Sequence, residues 1–109
     1  MNSKKVFFKI IVPNYNNMPY IKKCLDSILQ QTFKDFFVVV VDDISTDCSD
    51  KFCEAYERIY PDKIKLLRLE KKGYAGTARN VGINYNNIIS EYTWFIDGDD
   101  WLYSNTVLQ

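Results

Sequence analysis

The chain reads as an α/β domain, a doubly wound and mostly parallel sheet flanked by helices, with strand order 3-2-1-4. Three observations lead to that class. Short β-branched and aromatic runs alternate with stretches of helical periodicity, the pattern of repeated β-α units. The run Phe36 to Val41 is continuously apolar, as in a strand covered on both faces. Two apolar runs end abruptly in acids, at Asp42-Asp43 and at Asp97-Gly98-Asp99-Asp100, as when neighbouring strands release polar groups at one edge of a sheet.

Each element has its own signal. Val6 to Val12 is rich in β-branched and aromatic residues and predicts a first strand that stops at Pro13. Asn17 is placed to cap a helix with Pro19 in its first turn. Ile21, Cys24, Leu25, Ile28 and Leu29 then fall at i, i+3, i+4, i+7 and i+8, which is one helical face. Phe36 to Val41 is the second strand. Phe52, Tyr56 and Ile59 mark a second helix closed by Pro61, and Ile64 to Leu69 is the third strand. Gly73 and Gly76 break the chain before a third helix, Gly76 to Asn86, and Tyr92 to Ile96 is the fourth strand. Right-handed crossovers give the order 3-2-1-4 if the last connection returns past the first strand. The switch point then lies between strands one and four, where open α/β sheets bind ligands. Pro13 to Asn17, Asp42-Asp43 and Asp97 to Asp100 would meet there.

Bulk properties narrow the function. At 109 residues the chain is one domain at most. Its 47% apolar and 26% charged residues are those of a globular chain, and a formal net charge of +0 gives no reason to expect nucleic acid as partner. No apolar run reaches the ~20 residues that span a bilayer, and no signal-peptide core is visible. The expected location is the cytoplasm, with room for peripheral attachment at the inner membrane face. Cys24, Cys48 and Cys53 are odd in number and lack CxxC spacing, so reduced thiols are expected, with Cys24 in the core. With no histidine, Ser-His and Cys-His catalysis and His-ligated zinc are excluded.

The acid clusters carry the chemistry. Three carboxylates within four positions repel one another unless a cation sits among them. Carboxylates are hard ligands, so Mn²⁺ or Mg²⁺ bridging phosphate oxygens is favoured for the Asp97 to Asp100 cluster, with Gly98 allowing close backbone approach. The plainer reading is a solvated turn, since Asp and Gly dominate turns. Asp42 and Asp43 can accept from a nucleobase or ribose, or simply cap the following helix with Ser45 and Asp47. Lys71 to Gly76 resembles a phosphate loop only loosely and equally suits a flexible connector. Arg79, early in a helix, can meet a diphosphate or remain a surface residue. Trp94 reads as packing, and Trp101 as packing or a sugar platform.

Several segments together resemble glycosyltransferase family 2, of the GT-A fold. They are Ile11-Val12-Pro13-Asn14-Tyr15-Asn16, Gln31-Thr32-Phe33-Lys34-Asp35-Phe36, Val40-Val41-Asp42-Asp43 followed by Ser45-Thr46-Asp47, Gly76 with Ala78-Arg79-Asn80-Val81-Gly82-Ile83, and Phe95 to Asp100. The resemblance implies a nucleotide-sugar-binding part: Pro13, Asn14, Tyr15 and Asn16 around base and ribose, Asp42 on the nucleobase, Arg79 near the diphosphate. It makes Asp97-Gly98-Asp99 similar to the family's DxD motif, which contacts ribose and, through Mn²⁺ or Mg²⁺, the diphosphate, and it implies Asp99 as first metal ligand with Asp100 as the alternative. Ile44 stands where the family usually has glycine. A β-branched residue resists positive φ, so the loop is expected to differ there.

On this reading residues 1–109 form a single truncated nucleotide-sugar-binding domain with the acceptor half absent and the catalytic base beyond Gln109. The activity expected of the full enzyme is inverting transfer from a UDP-sugar to a glycan or lipid-linked acceptor in cell-surface polysaccharide biosynthesis. The 109-residue chain would be inactive alone and prone to self-association. A catalytically silent nucleotide- or metal-binding module is the alternative. A weaker one is an aspartate-based metal-dependent phosphatase, which would want Thr or Ser where Trp101 stands.

Overall fold

A computed structural model of the chain describes residues 4–104, 107 and 108; Met1 to Ser3, Asn105, Thr106 and Gln109 lie outside the described residues. The order of elements is β1 (Lys4–Asn14), α1 (Tyr20–Leu29), β2 (Phe36–Asp42), α2 (Ser49–Ile59), β3 (Ile64–Arg68), α3 (Tyr74–Ile83) and β4 (Ile88–Phe95). The four strands form one sheet in the order β3-β2-β1-β4, and every neighbouring pair is parallel. The expected class and strand order are both observed.

Two apolar layers cover the sheet. On one face Ile10, Val12, Val38 and Val40 pack with Ile21, Cys24, Leu25 and Ile28 of α1 and Cys53 of α2. On the other, Val39 and Val41 pack with Ala78 of α3. Because side chains alternate along a strand, adjacent residues of β2 belong to opposite layers. All seven residues of β2 are buried, as its unbroken apolar run requires. Gly82 lets α3 lie close on β1: a Cβ there would stand 2.6 Å from Ile11 Cγ2. Buried Lys9 closes the far end of the same helix by donating to the carbonyls of Ile83 and Tyr85 at 3.0 and 3.1 Å. β4 is the open edge next to β1, with Ile89, Tyr92 and Phe95 exposed. Among the described residues no helix is long and apolar enough to cross a membrane.

Several boundaries differ from expectation. β1 runs through Pro13 to Asn14, paired with Val41 and Asp42. Proline lacks a donor but keeps its carbonyl, and that of Pro13 accepts from Gly98 N at 3.1 Å. β4 begins at Ile88, four residues early, because an edge strand tolerates the polar Ser90 and Glu91 that hide its start. α1 has no side-chain cap. Asn17 contributes its carbonyl to Ile21 N, and its amide turns instead to Asn14 Oδ1 at 3.1 Å. α3 occupies Tyr74 to Ile83, earlier than expected, because its cap comes from outside the segment.

That cap is Asp43, just past β2. Its carboxylate accepts from Gly73 N at 2.8 Å and Tyr74 N at 2.6 Å, meeting the first amides of α3, and pairs with Lys72 Nζ at 3.0 Å. Burial raises the Asp43 pKa, but the Gly73 amide, the Lys72 ammonium and the Tyr74 amide outweigh it, holding the group below its ordinary value. A second brace is Gln31, fully buried after α1. Its amide donates to Ser27 O at 3.1 Å and Ser104 O at 2.5 Å, and its oxygen accepts from Leu108 N at 3.1 Å. Leu102 N donates to Ser27 Oγ at 3.0 Å. The chain after β4 is therefore tied to α1 by side chains.

Two outcomes follow. Gln31→Leu removes donor and acceptor together and should destabilise the fold by about 1–3 kcal/mol, read as a lower urea midpoint. The second concerns pH. Because the folded Asp43 pKa lies below the unfolded one, its contribution is present above the ordinary value of 3.8 and is lost as pH falls through the folded pKa. The urea midpoint should fall below about pH 4, and Asp43→Asn should be less stable at neutral pH with a shallower acid limb. An acid limb as steep in the variant as in the wild type would mean that other carboxylates set it.

Candidate functional site

Parallel pairing puts the C-terminal ends of β1, β2 and β4 at one edge. There the ladder extends past the strands: Asp43 N donates to Asn14 O at 2.9 Å, Ile96 N to Ile11 O at 3.0 Å and Gly98 N to Pro13 O at 3.1 Å. The acid segment after β4 is thus stitched to the tip of β1. Asp100 N donates to Asp97 O at 2.9 Å and closes a tight turn. Gly98 is required by space, since a Cβ would stand 2.4 Å from Asn17 Nδ2 and 3.0 Å from Asn14 Oδ1.

A cleft of about 300 Å³ opens at this edge. Pro13, Asn14, Tyr15 and Asn17 form its β1 wall, and Asp97 and Asp99 its β4 wall. Asp43, Lys72, Tyr74 and the α3 residues Ala78 and Arg79 complete it. Arg79 Nη2 pairs with Asp97 Oδ1 at 3.2 Å. Asp99 is exposed to solvent and has no hydrogen-bond or ion-pair partner among the described residues. Behind this loop, Cys24 Sγ donates to Asp97 O at 3.6 Å. Its thiol pKa is pushed up to about 12, first by burial and then by the charges of Asp100, Asp99 and Asp97.

The structure brings together Pro13, Asn14, Tyr15, Arg79, Asp97 and Asp99 of the expected site residues. Asp42, Asn16, Gly98 and Asp100 are not on the cleft wall. Asp42 is buried and accepts from Asn14 Nδ2 at 2.8 Å, Ser45 Oγ at 2.6 Å and Ser45 N at 3.0 Å, fixing the turn after β2. Asn16 joins two loops, its backbone N–H donating to Ser45 Oγ at 3.0 Å and its Oδ1 accepting from Thr46 N at 2.7 Å. Gly98 supports the turn from below, and Asp100 faces a separate pocket beside Trp94, Trp101 and Tyr103. Trp101 itself lies under Lys23, whose ammonium is 3.6 Å from the ring centroid.

Of the Asp42-Asp43 pair expected at this edge, the structure puts Asp43 rather than the favoured Asp42 on the cleft wall, and it sets Lys72, to which the sequence reading gave no role of its own, beside it. Strand alternation was the available signal for the first, because Asp43 continues the Val39-Val41 face toward α3 and Asp42 the opposite face. Nothing in the sequence marks Lys72 over Lys71. The expected departure at Ile44 is not seen: the residue takes the left-handed conformation at φ 59°, and its side chain is exposed. The turn held by Asp42 imposes that backbone despite the β-branch.

Among the described residues no group of three or more acids or thiols is gathered as a ready-made metal cage. The donor set nevertheless fits Mg²⁺ or Mn²⁺. Such ions are held by one or two carboxylates and complete their shell with phosphate oxygens and water, and Asp99 offers an unpaired carboxylate on the cleft wall.

Comparison with known proteins identifies the family and supports the fold. The family model for Glycosyl transferase family 2 matches residues 9–109. The chain is 42% identical over 93 residues to glycosyltransferase GlyA of Streptococcus pneumoniae, covering 85% of this chain and 13% of that protein. The crystal structure of S. aureus TarS 1-349 in complex with UDP superposes with a TM-score of 0.80 at 34% identity, over 94% of this chain and 30% of that one. Mannosyltransferase PcManGT from Pyrobaculum calidifontis, in complex with GDP-Man and Mn²⁺, superposes with a TM-score of 0.82 at 26% identity, over 93% of this chain and 30% of that one. The chain thus spans less than a third of the length of these proteins. From its sequence match and its GT-A-like parallel sheet, the chain belongs to glycosyl transferase family 2.

Proposed function

We propose that this chain is the donor-binding part of an inverting glycosyltransferase that uses a UDP-sugar and a divalent metal. The observation that carries the reading is the convergence of Tyr15, Asp43, Arg79, Asp97 and Asp99 on one cleft. Neighbouring structures that hold UDP, or GDP-Man with Mn²⁺, support it.

Each residue has a role suited to its chemistry. The exposed ring of Tyr15 offers a face on which a base can stack. The Asp43 carboxylate is an acceptor at the edge of that face, suited to an imino N–H of uracil. Asp42, buried and engaged with Asn14 and Ser45, holds the turn that presents Asp43. Asp97 is placed for ribose hydroxyls and keeps Arg79 aimed at the cleft, where the guanidinium can meet a diphosphate. Asp99 is the first candidate metal ligand, with Asp100 the alternative if the turn rotates. A bound Mn²⁺ or Mg²⁺ would offset the charge of the departing nucleoside diphosphate. Inverting transfer also needs a carboxylate to take the acceptor proton as the hydroxyl attacks the anomeric carbon. We place that base, and the site for a glycan or lipid-linked acceptor, outside residues 1–109. Family membership favours sugar transfer over phosphate hydrolysis, and the position of Trp101 after the acids agrees.

Calorimetry with UDP, GDP and CDP, with and without Mn²⁺, tests the reading. UDP should bind best and gain affinity with Mn²⁺, and Asp99→Ala should remove about tenfold or more of that metal-dependent gain. No binding of any of the three, or no effect of Asp99→Ala and Asp100→Ala alike, would overturn it. The purified chain should also transfer no sugar from UDP-sugars, measured as UDP release in the presence of glycan acceptors. Sustained turnover would place the base within these residues.

A further inference from the structure

The cleft already holds a cation of its own. Lys72 Nζ lies 3.1 Å from the centroid of the Tyr15 ring and 5.0 Å from that of Tyr74. The same ammonium is 3.0 Å from Asp43 Oδ2. Asp43 is 5% exposed against 33% for Lys72, so the lysine covers the acid from the solvent side. The ammonium therefore lies on the aromatic face and at the carboxylate together, an arrangement that favours it through both the ring quadrupole and the ion pair.

A planar base stacked on Tyr15 would need this same space. Its ring would lie about 3.5 Å from the tyrosine plane, where the ammonium now lies. An imino N–H donated to Asp43 would compete with Lys72 for a carboxylate whose two oxygens already accept from Gly73 N and Tyr74 N. Base and ammonium cannot hold both positions together. We propose that Lys72 is an affinity- and specificity-determining residue that occupies the base subsite in the ligand-free protein and must be displaced when a nucleotide binds. The proposal rests on the assignment of Tyr15 and Asp43 to the base made above.

The consequence is selective. A base that both stacks and donates an N–H to Asp43 replaces what the ammonium supplied, as uracil and guanine can. Cytosine presents a ring acceptor in place of that donor, so it removes the ammonium and sets a lone pair against a carboxylate left with only the Gly73 and Tyr74 amides. The flexible stem of Lys72 and its exposed position allow it to swing into solvent without disturbing the core.

Uridine is the suitable probe because it is neutral, so loss of the lysine charge does not weaken attraction to phosphate. Uridine binding is followed by NMR titration for the wild type, Lys72→Met and Lys72→Arg, each at low and high salt. Lys72→Met keeps the apolar stem and should bind uridine about three- to tenfold more tightly, whereas Lys72→Arg should stay near the wild type. The wild-type affinity should rise with salt as the Lys72–Asp43 pair is screened, and that of Lys72→Met should not. Tyr15 ring resonances should differ between the ligand-free wild type and Lys72→Met. Uridine binding in Lys72→Met that is equal to or weaker than wild type overturns the proposal and leaves the donor-site reading in place. Absence of uridine binding in all three proteins overturns both.

Discussion

The cleft depends on one constraint: β1 is central and parallel to both of its neighbours. Parallel strands share one direction, so β1, β2 and β4 release their following segments at a single edge. The pairing of Asn14 with Asp42 and the bond from Gly98 N to Pro13 O fix the depth at which each segment emerges. Had either neighbour run antiparallel, its acids would lie at the opposite end of the sheet. The handedness of the crossovers leaves α3 on the face that Asp43 points to, so one carboxylate serves both strand and helix.

Concentrating acids at one edge has an electrostatic cost, and the structure offsets it unevenly. Asp42 is held by Asn14 and Ser45, Asp43 by two amides and Lys72, and Asp97 by Arg79. Asp99 has no such partner among the described residues. Of these four, Asp99 alone has no protein partner, while Asp43 and Asp97 line the cleft with partners that a ligand would have to share or displace. This division is more informative than the number of acids, since buried and bonded carboxylates are structural as often as they are functional. It also explains why a cation here needs a partner ligand. With one free carboxylate, the remaining oxygens must come from phosphate and water.

Much of the fold was legible because burial leaves strong patterns. The six apolar residues Phe36 to Val41 of β2 and the stripe of Ile21, Cys24, Leu25 and Ile28 can be read directly. What escaped was decided by contacts distant in sequence. The start of α3 is set by Asp43, some thirty residues earlier, and no local signal in Gly73-Tyr74 reveals it. β1 continues through Pro13 because a carbonyl suffices there. Ile44 sits at φ 59° because Asp42 and Ser45 close the turn around it. The site was legible as a set of segments, but the choice between Asp42 and Asp43 required knowing which face of β2 looks toward α3. Lys72 could not be chosen from sequence at all, because its role arises from the proximity of Tyr15 and Asp43.

The support behind the acid loop bears on how strongly such a site can bind. The loop after β4 has no regular structure, and a free loop would lose conformational entropy on holding a ligand. Here α1 takes that cost in the folded state: Cys24 meets Asp97 O, Ser27 receives Leu102 N, and Gln31 holds Ser104 and Leu108. Cys24 and Gln31 are fully buried, and Ser27 is half-buried at the flank of the core-facing side of α1. The helix therefore has two duties that a single amphipathic face can meet, closing the core and fixing the loop. Since Gln31 is fully buried and bonded through both ends of its amide, the brace is rigid where a surface contact would not be. The braced loop behind the acids and the partly exposed Lys72 in front of them give the cleft one wall fixed by buried bonds and one that a ligand can displace.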